Sequence, residues 1–457
     1  MSTATMALFG WPVVALLLFF ALPPRRAVLV TVLAGWMFLP IAKVDFPGIV
    51  YTKWTACSLS AFLGVLLFDP GKLKSFRPRW VDLPFLVWCA VCPFVSSLTN
   101  QLGVYDGFQD MANRTVSMGL IYLLGRLYFH DPKGLQDLAV GLFVSGLVYM
   151  PLCLLEIRLS PQLHTWVYGF HQHDFGQTRR LGGWRPVVFM SHGIEVGFWM
   201  TAATLAGIWL WLSGVVRRIV TVPVWLWLLA LVPTTVLCKS TGALALLAAG
   251  LAALLAARWG KIRILAFALA AVPLAYAATR VAGLWTGEQA VVMVRHVSED
   301  RAESMRYRLT AEDLLAKHAM RQPVAGWGRW GRNRPSSFDR EVLNVATDGM
   351  WVINLGTYGV LGLAAMLGVF LIPPFLLFWK LPARLWSNPW CASAVVVGMV
   401  VVLFAIDSLM NAMMTPLHLL AAGGLSRAVL ARVRKPADPT PRAEPEPPEP
   451  LPAARTS

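Results

Sequence analysis

Apolar runs of roughly bilayer-crossing length recur almost from one end of this chain to the other, separated mostly by short polar connections. The pattern predicts helices near 6–22, 27–43, 49–68, 82–98, 115–129, 135–156, 188–212, 219–238, 241–257, 263–281, 355–379, 391–407 and 415–431. Runs of this kind are transmembrane helices, because inside lipid only a helix satisfies its backbone donors and acceptors within one segment. The expected fold is therefore all-α: a polytopic transmembrane helical bundle of about 12–13 spans. A large external loop should contain short helices.

The polar connections carry a second pattern. Arg25/Arg26, Lys72/Lys74/Arg77/Arg79, Lys133, Arg217/Arg218, Arg258/Lys261/Arg263 and Lys380/Arg384 mark every second loop. The positive-inside bias makes those loops cytoplasmic, with the N-terminus outside and the C-terminus inside. Longer segments near 99–114, 157–187 and 282–354 then face outward. The first apolar run has no basic segment before it and is followed by Pro23-Pro24-Arg25-Arg26, so it reads as a retained span rather than a cleaved signal. The transmembrane unit is expected over 1–432. Residues 433–457, rich in Pro and Glu, are expected to be a disordered cytoplasmic tail.

Composition agrees with this reading. Of 457 residues, 57% are hydrophobic and only 14% charged, against about a quarter charged in soluble chains. The formal charge of +16 lies largely beside helices, and no nucleic-acid motif accompanies it, so nucleic acid is excluded as a partner. All six cysteines, including the Cys89/Cys92 pair, fall in or beside apolar runs and are expected to pack as small hydrophobes.

Candidate chemistry concentrates on the outer segments. The 157–187 loop contains His171-Gln172-His173-Asp174 and then Arg179-Arg180-Leu181-Gly182-Gly183-Trp184-Arg185, with His192 and Glu195 entering the next span. H-x-H-D lacks a matched second set of metal ligands. Arginines bind phosphate through planar, charge-assisted pairs, and a Gly-Gly lets backbone approach closely, although interfacial arginines also simply reach for lipid headgroups. The i, i+3 spacing places His192 and Glu195 on one helix face. Asp106, Asp110 and Arg114 read as a solvated face. In the large loop, Thr310 and Asp313 have capping-box spacing with Leu309 and Leu314 as a staple, predicting a helix from about Ala311 to Arg321 stopped by Pro323. Gly326-Trp327-Gly328-Arg329-Trp330-Gly331-Arg332 follows, with aromatic platforms suited to sugar rings and arginines suited to phosphates. Asp348 stands where loop becomes helix, as a helix cap or as a reactive carboxylate.

The stretch from Arg308 through Pro323-Val-Ala-Gly326-Trp-Gly328, then Asp348 through Gly359-Val-Leu-Gly362, resembles the signature region of the O-antigen ligase and Wzy-type polysaccharide polymerase superfamily. Lys239-Ser240-Thr241-Gly242-Ala243-Leu244 is similar to that family's serine/glycine turn before an apolar helix. The resemblance covers roughly 180–362. It implies a bacterial inner-membrane glycosyltransferase that moves a glycan from an undecaprenyl-pyrophosphate carrier to a glycan or lipid acceptor, without a cofactor, a nucleotide sugar or a metal. It further implies that Arg180, Arg185, Arg306 and Arg308 hold the pyrophosphate. Trp327, Arg329 and Trp330 would meet the glycan, and Asp348, Glu195 or His192, in that order, would serve as base. Where the family carries histidine this chain has Asp348, which tilts the expectation from ligase toward polymerase. Membrane lipid and polysaccharide export or flippase components are the further partners implied. A multi-span transporter, or a non-catalytic envelope polysaccharide assembly protein, is the alternative.

Overall fold

The computed structural model describes residues 2–296, 299–329, 331–335 and 348–430. The expected tail at 433–457 and Trp330 lie outside the described residues. Every predicted apolar run contains a helix. In chain order the helices are α1 (Thr3–Ala21), α2 (Pro24–Phe38), α3 (Lys53–Phe68), α4 (Trp80–Thr99), α5 (Val104–Arg114), α6 (Leu120–Tyr128), α7 (Pro132–Leu159), α8 (Leu163–Tyr168), α9 (Gly193–Leu212), α10 (Val224–Leu237), α11 (Thr241–Trp259), α12 (Ile264–Val281), α13 (Glu288–Arg295), α14 (Glu299–Ala319), α15 (Met350–Lys380), α16 (Pro389–Asp407) and α17 (Pro416–Ala428). Eight of these (α1, α4, α7, α9, α11, α12, α15 and α16) are long and apolar enough to cross a membrane, and α3 and α10 are shorter apolar helices. Sheet among the described residues is confined to two-stranded ribbons. The chain is an all-α, multi-pass membrane protein.

Contacts between loops separate into two sets. Arg25 pairs with Asp131 (2.7 Å), Arg126 with Asp82 (2.7 Å), Arg258 donates to the Leu212 carbonyl (2.9 Å), and Arg263 donates to those of Phe378 and Trp379 (3.1 and 3.0 Å). All belong to the basic connections or the helix ends beside them. At the opposite end the Ile41 N–H meets His164 (3.3 Å), the Val50 N–H meets Asn113 (3.0 Å), Arg185 donates to the Lys239 carbonyl (3.2 Å), and the Met350 N–H donates to Ser408 (2.9 Å). Successive apolar helices thus run alternately between a basic end and the end that carries the long polar segments, to which α8, α13 and α14 belong.

Helix α9 is central. Of its most apolar stretch 89% is buried, and for α16 the figure is 72%, whereas α1 and α11 reach only 22% and 28%. Trp199 and Trp209 of α9 and Phe404 of α16 are fully buried, and Phe198 of α9 meets Phe404 edge-on. Outer helices therefore have an apolar face turned to lipid, and α9 delivers its N-terminus to the middle of the polar end.

Three local expectations are corrected. Helix α2 stops at Phe38 rather than 43, because Pro40 holds Leu39 extended (φ −70°, ψ 148°). Residues 43–52 then form a ribbon, Lys43–Phe46 against Ile49–Thr52, turned at Pro47-Gly48. In the large loop α14 begins at Glu299 and not near Ala311, so Thr310 lies exposed in mid-helix instead of capping it. Asp313 pairs with Arg280 (2.9 Å) rather than with a backbone N–H, and Leu314 is 39% exposed, so no staple forms. The helix still ends just before Pro323, as the sequence requires. Asp407, which the sequence places inside a span, is the last residue of α16 and accepts from Asn411 (2.9 Å).

Candidate functional site

The segment before α9 folds back as a ribbon in which Arg179 faces Trp184 and Arg180 faces Gly183. Leu181 and Gly182 both take positive φ (50° and 67°), the two-residue turn that matches ribbon twist. Lys239, in the turn before α11, lies against this ribbon with Nζ 3.5 Å from the Leu181 carbonyl oxygen. The ammonium occupies the space that a Cβ at Gly183 would take, so a side chain there would displace it. Arg185 is buried, donating to the Lys239 carbonyl and packing its methylenes on Gly193.

His192 is the N-cap of α9: its Nδ1 accepts from the Ile194 N–H (3.1 Å). The neutral ring therefore carries its proton on Nε2, which lies 3.2 Å from Gln177 Oε1. The ring stacks on His173, with centroids 4.5 Å apart. Burial, reinforced by His173, Arg185, Arg180 and Arg308, pushes the His192 imidazole down to about 3. It is neutral at physiological pH, and it sits among the guanidinium groups of Arg180, Arg185 and Arg308.

Arg308 comes from α14. Its Nε lies 3.4 Å from Asp348 Oδ2. Asp348 is not a helix cap, since Gly349 holds that position in α15, and its side chain remains 43% exposed. Arg306, two residues away, points elsewhere and pairs with Glu288 of α13. The structure thus divides the expected arginine set: Arg180, Arg185 and Arg308 converge, and Arg306 does not. Helix α14 is held in register by Arg280 at the end of α12, which reaches Asp313, Glu312 (3.6 Å) and the Leu309 carbonyl (2.7 Å). Tyr276 donates to Glu312 at 2.6 Å. Burial raises the Glu312 carboxyl to about 7 despite these partners.

Glu195 does not share a face with His192, because the cap residue has extended backbone (φ −155°) and lies outside the helix. It turns into the bundle, accepting from Trp36 Nε1 (2.8 Å), from the Ser191 N–H (2.9 Å) and from the Ser191 hydroxyl. Lys53 lies over the Trp36 ring at 4.2 Å and donates to the Phe189 carbonyl (3.2 Å). A cavity of about 380 Å³ opens here, with Trp36, Trp54, Lys53, Ser191, Glu195 and Met413 in its wall. Glu195 thus already accepts three hydrogen bonds inside the bundle, whereas Asp348 is 43% exposed.

The glycine-rich turn is a structural plug as much as a surface. Helix α15 is broken at Gly359 (φ 67°, ψ −165°), and the freed carbonyls of Gly356 and Thr357 accept from the Trp327 and Gly328 N–H groups (2.9 and 3.0 Å). The Val360 N–H returns a bond to the Pro323 carbonyl (2.7 Å). Trp327 stacks on His318 at 4.4 Å, so one ring face is covered. Arg329 pairs with Asp106. The segment at 99–114 is accordingly not a merely solvated face. Asp110 accepts from Tyr358 (2.6 Å) and lies 3.8 Å from Arg114, which stacks over the Tyr358 ring at 4.3 Å.

The sequence reads Asp110 and Arg114 only as a solvated face and Lys239 only as part of a turn, and it singles out neither Arg280 nor Tyr358. Lys239 had one available signal: a cation in a very short connection at the end opposite the basic loops. His171 and His173 place Nδ1 on backbone carbonyls (2.6 and 2.7 Å), and no group of three or more His, Cys, Asp or Glu side chains able to hold a metal occurs among the described residues. No family model matches the chain, and no curated protein does.

Proposed function

We propose that this chain transfers a glycan from an undecaprenyl-diphosphate carrier to a hydroxyl of a glycan or lipid acceptor, as a polysaccharide polymerase or O-antigen ligase of a bacterial inner membrane. The observation that carries the reading is the convergence of Arg180, Arg185 and Arg308 on neutral His192 at the polar end of the bundle, with Lys239 lying against the ribbon that holds Arg180. These cations come from three separate segments, and fixed cations aimed at a diphosphate stabilise the charge that grows as it leaves. The His192 Nε2–H adds a donor, and the resemblance of the Arg308–Gly362 region supports the same chemistry.

In this reading the acceptor oxygen attacks the anomeric carbon while the bond from that carbon to the diphosphate oxygen breaks. The diphosphate departs with the bonding pair and is held by the arginines. The acceptor proton passes to Asp348, the accessible carboxylate beside Arg308. A transporter would call for ionisable groups in mid-span. Here Lys53 is the first residue of α3, Glu195 the third of α9, Arg280 the last but one of α12 and Asp407 the last of α16.

The test is removal of the chain from its host followed by analysis of lipid-linked intermediates. The expected result is accumulation of undecaprenyl-linked oligosaccharide with loss of the mature polymer or ligated product. Normal product with no accumulation would overturn the proposal.

A further inference from the structure

A second cavity, of about 370 Å³, lies at the same end of the bundle, away from the His192 cluster, between α5 and the start of α15. Its wall holds Gln109, Asp110, Asn113, Arg114, Arg329 and Tyr358, with Thr357 and Ile353 at its base. These side chains are mostly planar hydrogen-bonding groups, and the surrounding structure fixes them. Asn113 is tied on both sides, accepting from the Val50 N–H and donating to the Gly48 (2.9 Å) and Gln109 (2.9 Å) carbonyls. Asp110 is oriented by Tyr358, and Arg114 lies over Tyr358 and, at 5.7 Å, over Trp88. Arg329 is set by Asp106 and, at 3.4 Å, by Gln109.

The backbone around this cavity departs from regular helix in three places. π-Helical turns occur at Val87–Val91 and Thr115–Gly119, and α15 breaks at Gly359. π-Turns lodge preferentially at functional sites, because they re-aim side chains at the cost of regular hydrogen bonding. Here they stand behind Arg114 of the cavity wall: Trp88 of the first turn lies under its guanidinium, and the second turn begins at the next residue, Thr115.

Charge indicates what the cavity takes. Arg114 and Arg329 are balanced by Asp110 and Asp106, so among the described residues it has no excess positive charge to hold a phosphate, unlike the His192 cluster. Preorganised carboxylate, amide, guanidinium and phenol groups of no net charge match the alternating donors and acceptors of vicinal hydroxyls. We infer that this cavity is a saccharide subsite that binds an uncharged sugar ring through Gln109, Asp110 and Arg329. Naming the ligand a sugar rests on the transfer function proposed above; the cavity and its charge balance do not.

The test uses the full chain in lipid nanodiscs with no lipid-linked donor, so that binding is read separately from transfer. Methyl glycosides of glucose, galactose and N-acetylglucosamine, and the corresponding sugar 1-phosphates, serve as probes in saturation-transfer NMR. At least one methyl glycoside should bind, no more weakly than its 1-phosphate. Gln109→Ala and Arg329→Ala, both at the half-exposed rim, should weaken it about tenfold, the loss expected for one hydrogen bond to a charged or amide group. Absence of saturation transfer from every glycoside, binding unchanged in both variants, or preference for the 1-phosphate would each overturn the inference.

Discussion

Asp348→Asn is the most informative single change. In the structure Asp348 caps no helix, and among the described residues its one close ionic partner is Arg308, at 3.4 Å, with side chains 43% and 27% exposed. An ion pair this open to solvent contributes between about zero and 1 kcal/mol to stability. Asparagine has the same shape and keeps an oxygen toward Arg308, so the variant should reach normal membrane levels and unfold within a few degrees of the parent. Loss of a general base, in contrast, costs about 10²–10⁴ in rate, equivalent to about 2.7–5.4 kcal/mol of activation energy. The two effects are therefore well separated. The assay is transfer from lipid-linked donor in membrane vesicles, normalised to the amount of protein, with Asp348→Glu and Asp348→His as companions that keep a proton acceptor. At least a hundredfold loss in the asparagine variant is expected, with partial activity in one companion. Transfer within about threefold of the parent would refute the role and move the base to Glu195.

Arg308→Lys should lose nearly as much transfer as Arg308→Ala, because lysine keeps the charge but not the planar fork; near-normal product from the lysine variant would mean that charge alone suffices. Gly359→Ala would force a side chain into backbone conformation only glycine adopts, and its Cβ would strike the carbonyl oxygens of Val324 and Pro323. A stability loss of at least about 1–3 kcal/mol is expected, checked by thermal unfolding in detergent, and an unchanged midpoint would refute the plug geometry. The Glu312 carboxyl stands at about 7 in the folded chain against an ordinary 4.5. The fold thus favours its protonated form, so docking of α14 is strongest below pH 4.5 and weakens up to about 7, by about 3 kcal/mol in all. Amide exchange across 309–315 should follow that window in the parent and flatten in Glu312→Gln; the same slope in both would show that another group titrates. A C-terminal tag should resist protease added to sealed spheroplasts, as the positive-inside pattern requires, and cleavage there would invert the topology.

What the sequence by itself determined was architecture. A span in lipid must be apolar over its whole length, and its flanking charges sort to one side, so both helices and alternation can be read from local composition. The stop before Pro323 is local in the same sense. Helix starts were less legible: α14 reaches back to Glu299 past a capping-box spacing at Thr310, since Arg280, far away in sequence, engages Asp313 instead. The candidate site was visible only as a set of residue types. Arg306 and Arg308 look alike in sequence, yet neighbouring positions on a helix point in different directions, and packing of α14 against α13 and α15 sent one to Glu288 and the other to Asp348. The i, i+3 pairing of His192 and Glu195 failed because that spacing holds only inside a helix, and His192 is the cap. Lys239 and the Asp110–Arg114–Tyr358 group carry no local signal strong enough to separate them from ordinary interfacial residues. Only the tertiary structure, by bringing segments 54 to 248 positions apart into contact, gave them partners.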